Sequence, residues 1–253
     1  MTLFVSDLHL GRGTPAETAA AERDAVALLR AHAGALADGG ALVLLGDVYD
    51  QFIEYRHLVP KAGVRLAAAA SDLADAGVRV VYAVGNRDPW HLDFWRGLGA
   101  ELVTGGALLE LEGRRVWVEH GDAHDPGRRA RGGRLAPRLH RFLRHPAVAR
   151  LYRNALPGDA GFALARHVAL RAGTDGTPDP AVAEALAQAA RARLDTTPAE
   201  LVVHGHCHAA ACAAGASGTY LNPGYWFGAR SYARLDARGP ALLRWPGARH
   251  ASP

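Results

Sequence analysis

The sequence predicts an α/β fold carrying a helical insertion. Short apolar runs alternate with alanine- and leucine-rich stretches in β-α-β-α-β order through the first half of the chain. Polar side chains able to bind metal follow run after run, and the region from about 126 to 195 breaks the alternation with helical periodicity alone.

Leu3 to Val5, Ala41 to Leu45, Val78 to Val84, Val116 to Glu119 and Leu201 to His204 read as buried strands, each stopping at a glycine or at polar residues. Helical patterns at about 15–37 and 59–76 separate the first three. That order implies right-handed crossovers and a largely parallel arrangement. Ala107 to Leu111 and Arg115 to Glu119, joined at Glu112-Gly113-Arg114, form a predicted hairpin. The 126–195 stretch is rich in arginine and alanine and is punctuated by Pro137, Pro146, Pro157 and Pro178. A single domain spanning 1–253, with this stretch as a lid, is the expected organisation. Thr219 to Leu221, Tyr232 to Leu235 and Ala241 to Trp245 then return to strand character.

The 253 residues suffice for one sizeable core. A net charge of +4 and a pI near 9.4 come almost wholly from arginine, Lys61 being the single lysine. Either a GC-rich coding sequence or a surface that meets phosphate accounts for that bias. Cys207 and Cys212 make no disulfide framework, so a reducing cytoplasm and no disulfide-linked partner are expected. The N-terminus lacks the pattern of a signal peptide. No run of about 18 apolar residues is present, so any membrane contact should be peripheral, on the inner face.

Five clusters carry the chemistry: Asp7-Leu8-His9, Gly46-Asp47 with Asp50 after it, Gly85-Asn86-Arg87-Asp88, His120-Gly121-Asp122, and His204-Gly205-His206-Cys207-His208. Alternation along an extended segment would put Asp7 and His9 on one side. Each cluster follows a predicted strand, and ligands collect at the carboxyl ends of strands in open α/β sheets. Alone, each is weak, since Gly-Asp after a strand is more often a turn. Their joint order points to a metal centre. Carboxylate, imidazole and carboxamide groups suit Mn²⁺ first, with Fe²⁺ or Zn²⁺ as alternatives, and a bridging carboxylate such as Asp47 could hold two ions about 4 Å apart.

The set S-D-L-H-L-G, G-D-x-x-D, G-N-R-D, H-G-D and H-G-H-x-H resembles the calcineurin-like metallophosphoesterases over nearly the whole chain. The resemblance implies an α-β-β-α sandwich with Asp7, His9, Asp47 and His208 around one divalent ion. It puts Asp47, Asn86, His120 and His206 around the other. Most members have histidine after the Asn, where Arg87 stands here. Arginine does not release its proton near neutral pH but can fork onto phosphate oxygens. It therefore suits a leaving group that needs no proton, such as a nucleoside monophosphate leaving from a pyrophosphate. His91 or His124 could supply a proton instead.

G-N-R-D with a helical insertion before G-H-x-H is similar to the UDP-2,3-diacylglucosamine hydrolase branch. That branch cleaves an acylated UDP-sugar into the lipid 1-phosphate and UMP during lipid A assembly. The resemblance implies that the insertion caps the acyl chains. Leu139, Phe142, Leu143, Val148, Leu151, Leu156, Phe162 and Leu164 would line the groove; Arg128, Arg129, Arg131, Arg134, Arg138, Arg141 and Arg144 would face phosphates or an anionic membrane. Asp122, His124, Arg141, Phe142 and Tyr152 join Arg87 as candidate substrate contacts, and Asn86, Arg87, His120 and Asp47 as the catalytic set. The sequence departs from the branch after Asp47 and after Asp88, where Pro89-Trp90-His91 follows. A phosphodiesterase or phosphomonoesterase acting on a soluble nucleotide or protein phosphate is the alternative. A non-catalytic scaffold would have lost ligands, and nucleic-acid binding would need more aromatics among the arginines; no nucleic-acid partner is expected.

Overall fold

The computed structural model describes residues 1–127, 142, 145–171 and 176–246, the side chains of 168–171 excepted. The first sheet contains β1 (Thr2–Val5), β2 (Ala41–Leu44), β3 (Arg79–Ala83), β4 (Ala100–Val103), β10 (Ser231–Asp236) and β11 (Gly239–Arg244), in the order β11-β10-β1-β2-β3-β4. Strands β1 to β4 run parallel, and β10 and β11 add antiparallel. The second sheet has the order β5-β6-β7-β9-β8, from β5 (Ala107–Leu111), β6 (Arg114–Val118), β7 (Leu201–Val203), β8 (Ala211–Gly215) and β9 (Gly218–Asn222).

Three apolar clusters make these sheets the middle layers of an α-β-β-α sandwich. Phe4, Val43, Leu45, Val81 and Val103 of the first sheet meet Leu109, Val116, Val118, Leu201, Val203 and Leu221 of the second. On the outer face of the first sheet lie α1 (Pro15–Ala37) and α2 (Val64–Asp75), through Leu28, Leu29, Leu66 and Leu73. Two short helices, α3 (Phe94–Gly97) and α7 (Trp226–Ala229), bury Trp95 and Trp226 in the same layer. The second sheet is covered by α6 (Pro180–Thr196), whose Val182, Leu186, Ala190 and Leu194 recur at helical spacing.

Helix α1 covers the predicted span, opened by a capping box in which Thr14 accepts from the Glu17 amide and Glu17 accepts from the Thr14 amide. The second predicted helix is shorter than its apolar pattern, because Gly63 in a left-handed conformation (φ 85°) caps α2 at Val64. The hairpin between β5 and β6 turns on Glu112 (φ 53°) and Gly113 (φ 68°), both positive as a two-residue turn requires. Between β6 and β7 the described residues carry α4 (Pro146–Ala155), α5 (Gly158–Arg171) and α6. Leu139, Arg141, Leu143 and the arginines of 128–144 lie outside the described residues. Among the described residues, no helix is long and apolar enough to cross a membrane.

Candidate metal centre

The ligand candidates sit where strands stop. Strand β1 ends at Val5, and the chain then turns through Asp7 (φ 54°) and His9 (φ 43°). The two side chains do meet, but through left-handed turns rather than strand alternation. Asp47, His206 and His208 also have positive φ, at 48°, 67° and 59°. Such conformations cost about 1–3 kcal/mol each in non-glycine residues and persist where the surroundings fix them. The neighbouring glycines make room: a Cβ at Gly85 would land on Asp47, and one at Gly205 on Ser6 Oγ.

Asp7, His9 and His208 form one group. Nε2 of His208 lies 3.3 Å from Asp7 Oδ1 and 3.1 Å from His9 Nε2, which is 3.6 Å from the same Asp7 oxygen. The His208 Nδ1 faces the Gly176 carbonyl at 2.9 Å, and the His9 Nδ1 faces Asp50 Oδ1 at 3.3 Å. The Gly176 carbonyl accepts from His208 Nδ1, which turns the His208 Nε2 lone pair toward Asp7 Oδ1 and His9 Nε2. Asp7 Oδ1 is buried and makes no hydrogen bond, whereas Oδ2 accepts from Ser6 Oγ at 2.6 Å and the His206 amide at 2.9 Å. A buried carboxylate oxygen without a hydrogen bond, faced by two imidazole nitrogens, fits a cation. Burial raises the Asp7 pKa, but His208 and His9 outweigh it and hold the carboxyl well below its usual range.

Asp47, His120 and His206 form the second group. His120 Nδ1 donates to the Leu45 carbonyl at 2.7 Å, leaving Nε2 3.2 Å from Asn86 Oδ1 and 3.5 Å from Asp47 Oδ1. Asp47 stands between the groups: its Oδ1 faces His120 and its Oδ2 lies 4.0 Å from His9 Nε2. The Arg87 amide fixes Asp47 Oδ1 at 2.7 Å. Without a cation, burial lowers the His120 pKa but the Asp47 charge overrides it and lifts it to about 10. These residues supply oxygen and imidazole donors and no thiolate, the set that suits hard or borderline divalent ions.

A UDP-2,3-diacylglucosamine hydrolase of Stenotrophomonas maltophilia is 32% identical over 253 residues, covering 95% of this chain and 97% of its own length. One from Ralstonia nicotianae is 33% identical over 218 residues, covering 81% and 76% respectively. The chain belongs to the UDP-2,3-diacylglucosamine hydrolase family. A Porphyromonas gingivalis hydrolase of the same name matches at 31% over 150 residues, 59% of this chain and 55% of the relative; the match thus spans about half of that protein's length. No protein-family model matches the chain. A solved archaeal phosphodiesterase aligns over 96% of this chain and 98% of its own, at 9% identity and a TM-score of 0.48.

In this member of the UDP-2,3-diacylglucosamine hydrolase family, the other candidates fall in different places. Asp122 is buried in a single 3₁₀ turn (Asp122–His124), where its charge supports His120. His124 contacts Glu119 at 3.2 Å and stacks on His204. Tyr152, on α4, donates to the Gly161 carbonyl at 2.7 Å and packs its ring on Trp90. Phe142 is exposed, and Arg141 lies outside the described residues.

Several residues that support the centre went unassigned in the sequence. Tyr225 stacks on His208 with ring centres 4.2 Å apart, and its hydroxyl accepts from Arg12. Asp125 Oδ2 lies 3.5 Å from His206 Nε2. Asp88 accepts from the Val48 and Gly85 amides, each at 2.8 Å, and from Tyr82 Oη, locking the loops after β2 and β3 together. Burial, then the nearby Asp47 charge, pushes the Asp88 carboxyl up to about 6. Asp88 carried a signal, as the last letter of G-N-R-D. Tyr225 and Asp125 went unassigned because each acts by touching a candidate ligand that the sequence does not show to be its neighbour.

Proposed function

We propose that this chain hydrolyses the pyrophosphate bond of UDP-2,3-diacylglucosamine, giving 2,3-diacylglucosamine 1-phosphate and UMP, with two divalent ions, Mn²⁺ first, sharing Asp47. The observation that carries the reading is Asp47 itself, with one carboxylate oxygen toward each ligand group. Asp7, His9, Asp47 and His208 would hold one ion; Asp47, Asn86, His120 and His206 would hold the other. Such a pair supplies Lewis-acid activation of water and of the phosphoryl oxygens.

The remaining work falls to the protein. The Leu45 carbonyl holds the His120 ring in one tautomer, and the Gly176 carbonyl does the same for His208. Arg87, held at its backbone by Asp47 and Phe52, presents a guanidinium that remains charged as negative charge develops on the phosphoryl group. UMP leaves as a stable phosphate anion, so no group at position 87 need protonate it.

Two residues after Arg87, Pro89 and then Trp90 enter the wall of a cleft of about 810 Å³. Val84, Leu102 and the α4 residues Pro146 and Ala149 line it, and Arg56, Arg96, Arg150 and Arg153 bring positive charge. Helices α4 and α5 act as the cap over the bound substrate, while α6 belongs to the core. Exposed Leu58, Phe142, Leu151 and Leu164 offer contacts for acyl chains or for the inner membrane surface, on which the protein would sit peripherally. The arginines of the cleft also favour a second reading, a soluble nucleotide or protein phosphate as substrate.

Incubation of the metal-loaded protein with UDP-2,3-diacylglucosamine should release UMP far faster than it cleaves a generic phosphodiester. Absence of UMP alongside turnover of the diester would replace the first reading by the second.

A further inference from the structure

We infer that Glu119, His124 and His204 form a separate divalent-cation site, suited to Zn²⁺, behind the centre that Asp47 joins. One carboxylate and two imidazoles lie with their potential ligand atoms all within 4.8 Å of one another. Glu119 Oε1 and His124 Nε2 are already 3.2 Å apart. Tetrahedral zinc bound at about 2.0–2.1 Å places its ligand atoms about 3.3 Å from one another. That pair therefore has zinc spacing, and His204 needs only a modest approach. His124 is best placed to provide it, being partly exposed on a single 3₁₀ turn.

The surroundings favour coordination over a plain ion pair. Trp117 Nε1 donates to Glu119 Oε2 at 3.0 Å, which orients the carboxylate and leaves Oε1 toward His124. His204 is 1% exposed, and its Nδ1 is buried without a hydrogen-bond partner. A structural ion pair would leave the buried His204 nitrogen unexplained. Opposing a cation are Arg193, whose guanidinium lies 4.0 Å from the centre of the Trp117 ring, and His120. The Asp47 centre gathers more donors and should bind its ions more tightly. At the Glu119 site, the partly exposed side of His124 leaves room for water as the fourth ligand.

The three residues belong to segments that also carry the principal ligands: Glu119 precedes His120, His204 lies two residues before His206, and His124 follows Gly121. An ion here would brace the ends of β6 and β7 and the turn after them. The test is equilibrium dialysis of the full chain against micromolar Zn²⁺, with zinc counted per chain by mass spectrometry. His124→Ala should bind one zinc fewer than the wild type, with an unchanged circular dichroism spectrum. Glu119→Gln should show the same loss and serves should His124→Ala fail to fold. His9→Ala, which disrupts the other centre, should keep the zinc that His124→Ala loses, so that failure of one site is told from failure of the other. Equal zinc in the wild type and in a folded His124→Ala or Glu119→Gln protein would overturn the inference.

Discussion

In the proposed mechanism, Arg87 is the residue on which the chemistry turns most visibly. If it stabilises charge on the phosphoryl group without giving a proton, Arg87→Ala should lower kcat about 100-fold or more with little change in melting temperature. Arg87→His should not restore the rate, because UMP needs no proton on leaving; recovery by histidine in a steady-state assay would point to acid catalysis instead. His91, four residues on, has a different part. It stacks on Phe52, with ring centres 4.7 Å apart, and neither ring nitrogen has a well-formed hydrogen bond. Burial drives its pKa from 6.5 down to about 3, so it folds as the neutral imidazole. Protonation then favours the unfolded chain, and its destabilising effect grows as the pH falls from 6.5 toward 3. His91→Phe should remove that effect: the melting temperature of the variant relative to wild type should rise steadily between pH 7 and pH 4 in thermal melts. A constant difference would show that His91 does not titrate this way. The candidate ligands Asp7, His9, Asp47, Asn86, His120, His206 and His208 could be named from the sequence because metal chemistry restricts ligands to a few side chains, and the structure brings them together. The neutral burial of His91 was not, since it depends on Phe52 and Tyr82 closing round the ring.

At the scale of elements, the strands that place ligands are short, buried and stopped by glycine or polar residues, and that pattern is readable from apolar runs. Strand β8 is not: Ala-Cys-Ala-Ala-Gly has no strand signature and is held by its antiparallel pairing with β9. Strand β4 is similarly quiet, with Glu101 between apolar neighbours and its pairing to β3 supplying the order. Helix α7 spans only Trp226–Ala229, too short for periodicity to reveal, yet it anchors the loop beside His208. Trp226 is fully buried, its indole donates to the Ala21 carbonyl at 3.0 Å, and its own amide donates to the Ser6 carbonyl. Trp226→Ala should therefore cost about 3–5 kcal/mol in denaturant unfolding. Because Ser6 orients Asp7, the variant should also bind divalent ions more weakly. A loss below 1 kcal/mol would mean that α7 does not tie α1 to the ligand loop.

In the whole molecule, two sheets meet face to face and their carboxyl ends bring residues from positions 7 to 208 into one centre. The α-β-β-α layering was accessible through the resemblance of five motifs; alternation alone gave only the α/β class, since it does not say which strands share a sheet. Metal loading should stabilise the chain as a unit. In the stripped protein the His120 proton contributes stability that is complete below 6.5 and disappears as the pH rises through about 10. A bound cation replaces that proton, so the gain in melting temperature on loading should grow between pH 7 and pH 10. A gain that stays flat across that range would contradict the His120 assignment. The most direct test of the account is anomalous diffraction from crystals soaked in Mn²⁺. It predicts two peaks about 4 Å apart, on either side of the Asp47 carboxylate. One peak, or two that Asp47 does not separate, would contradict it.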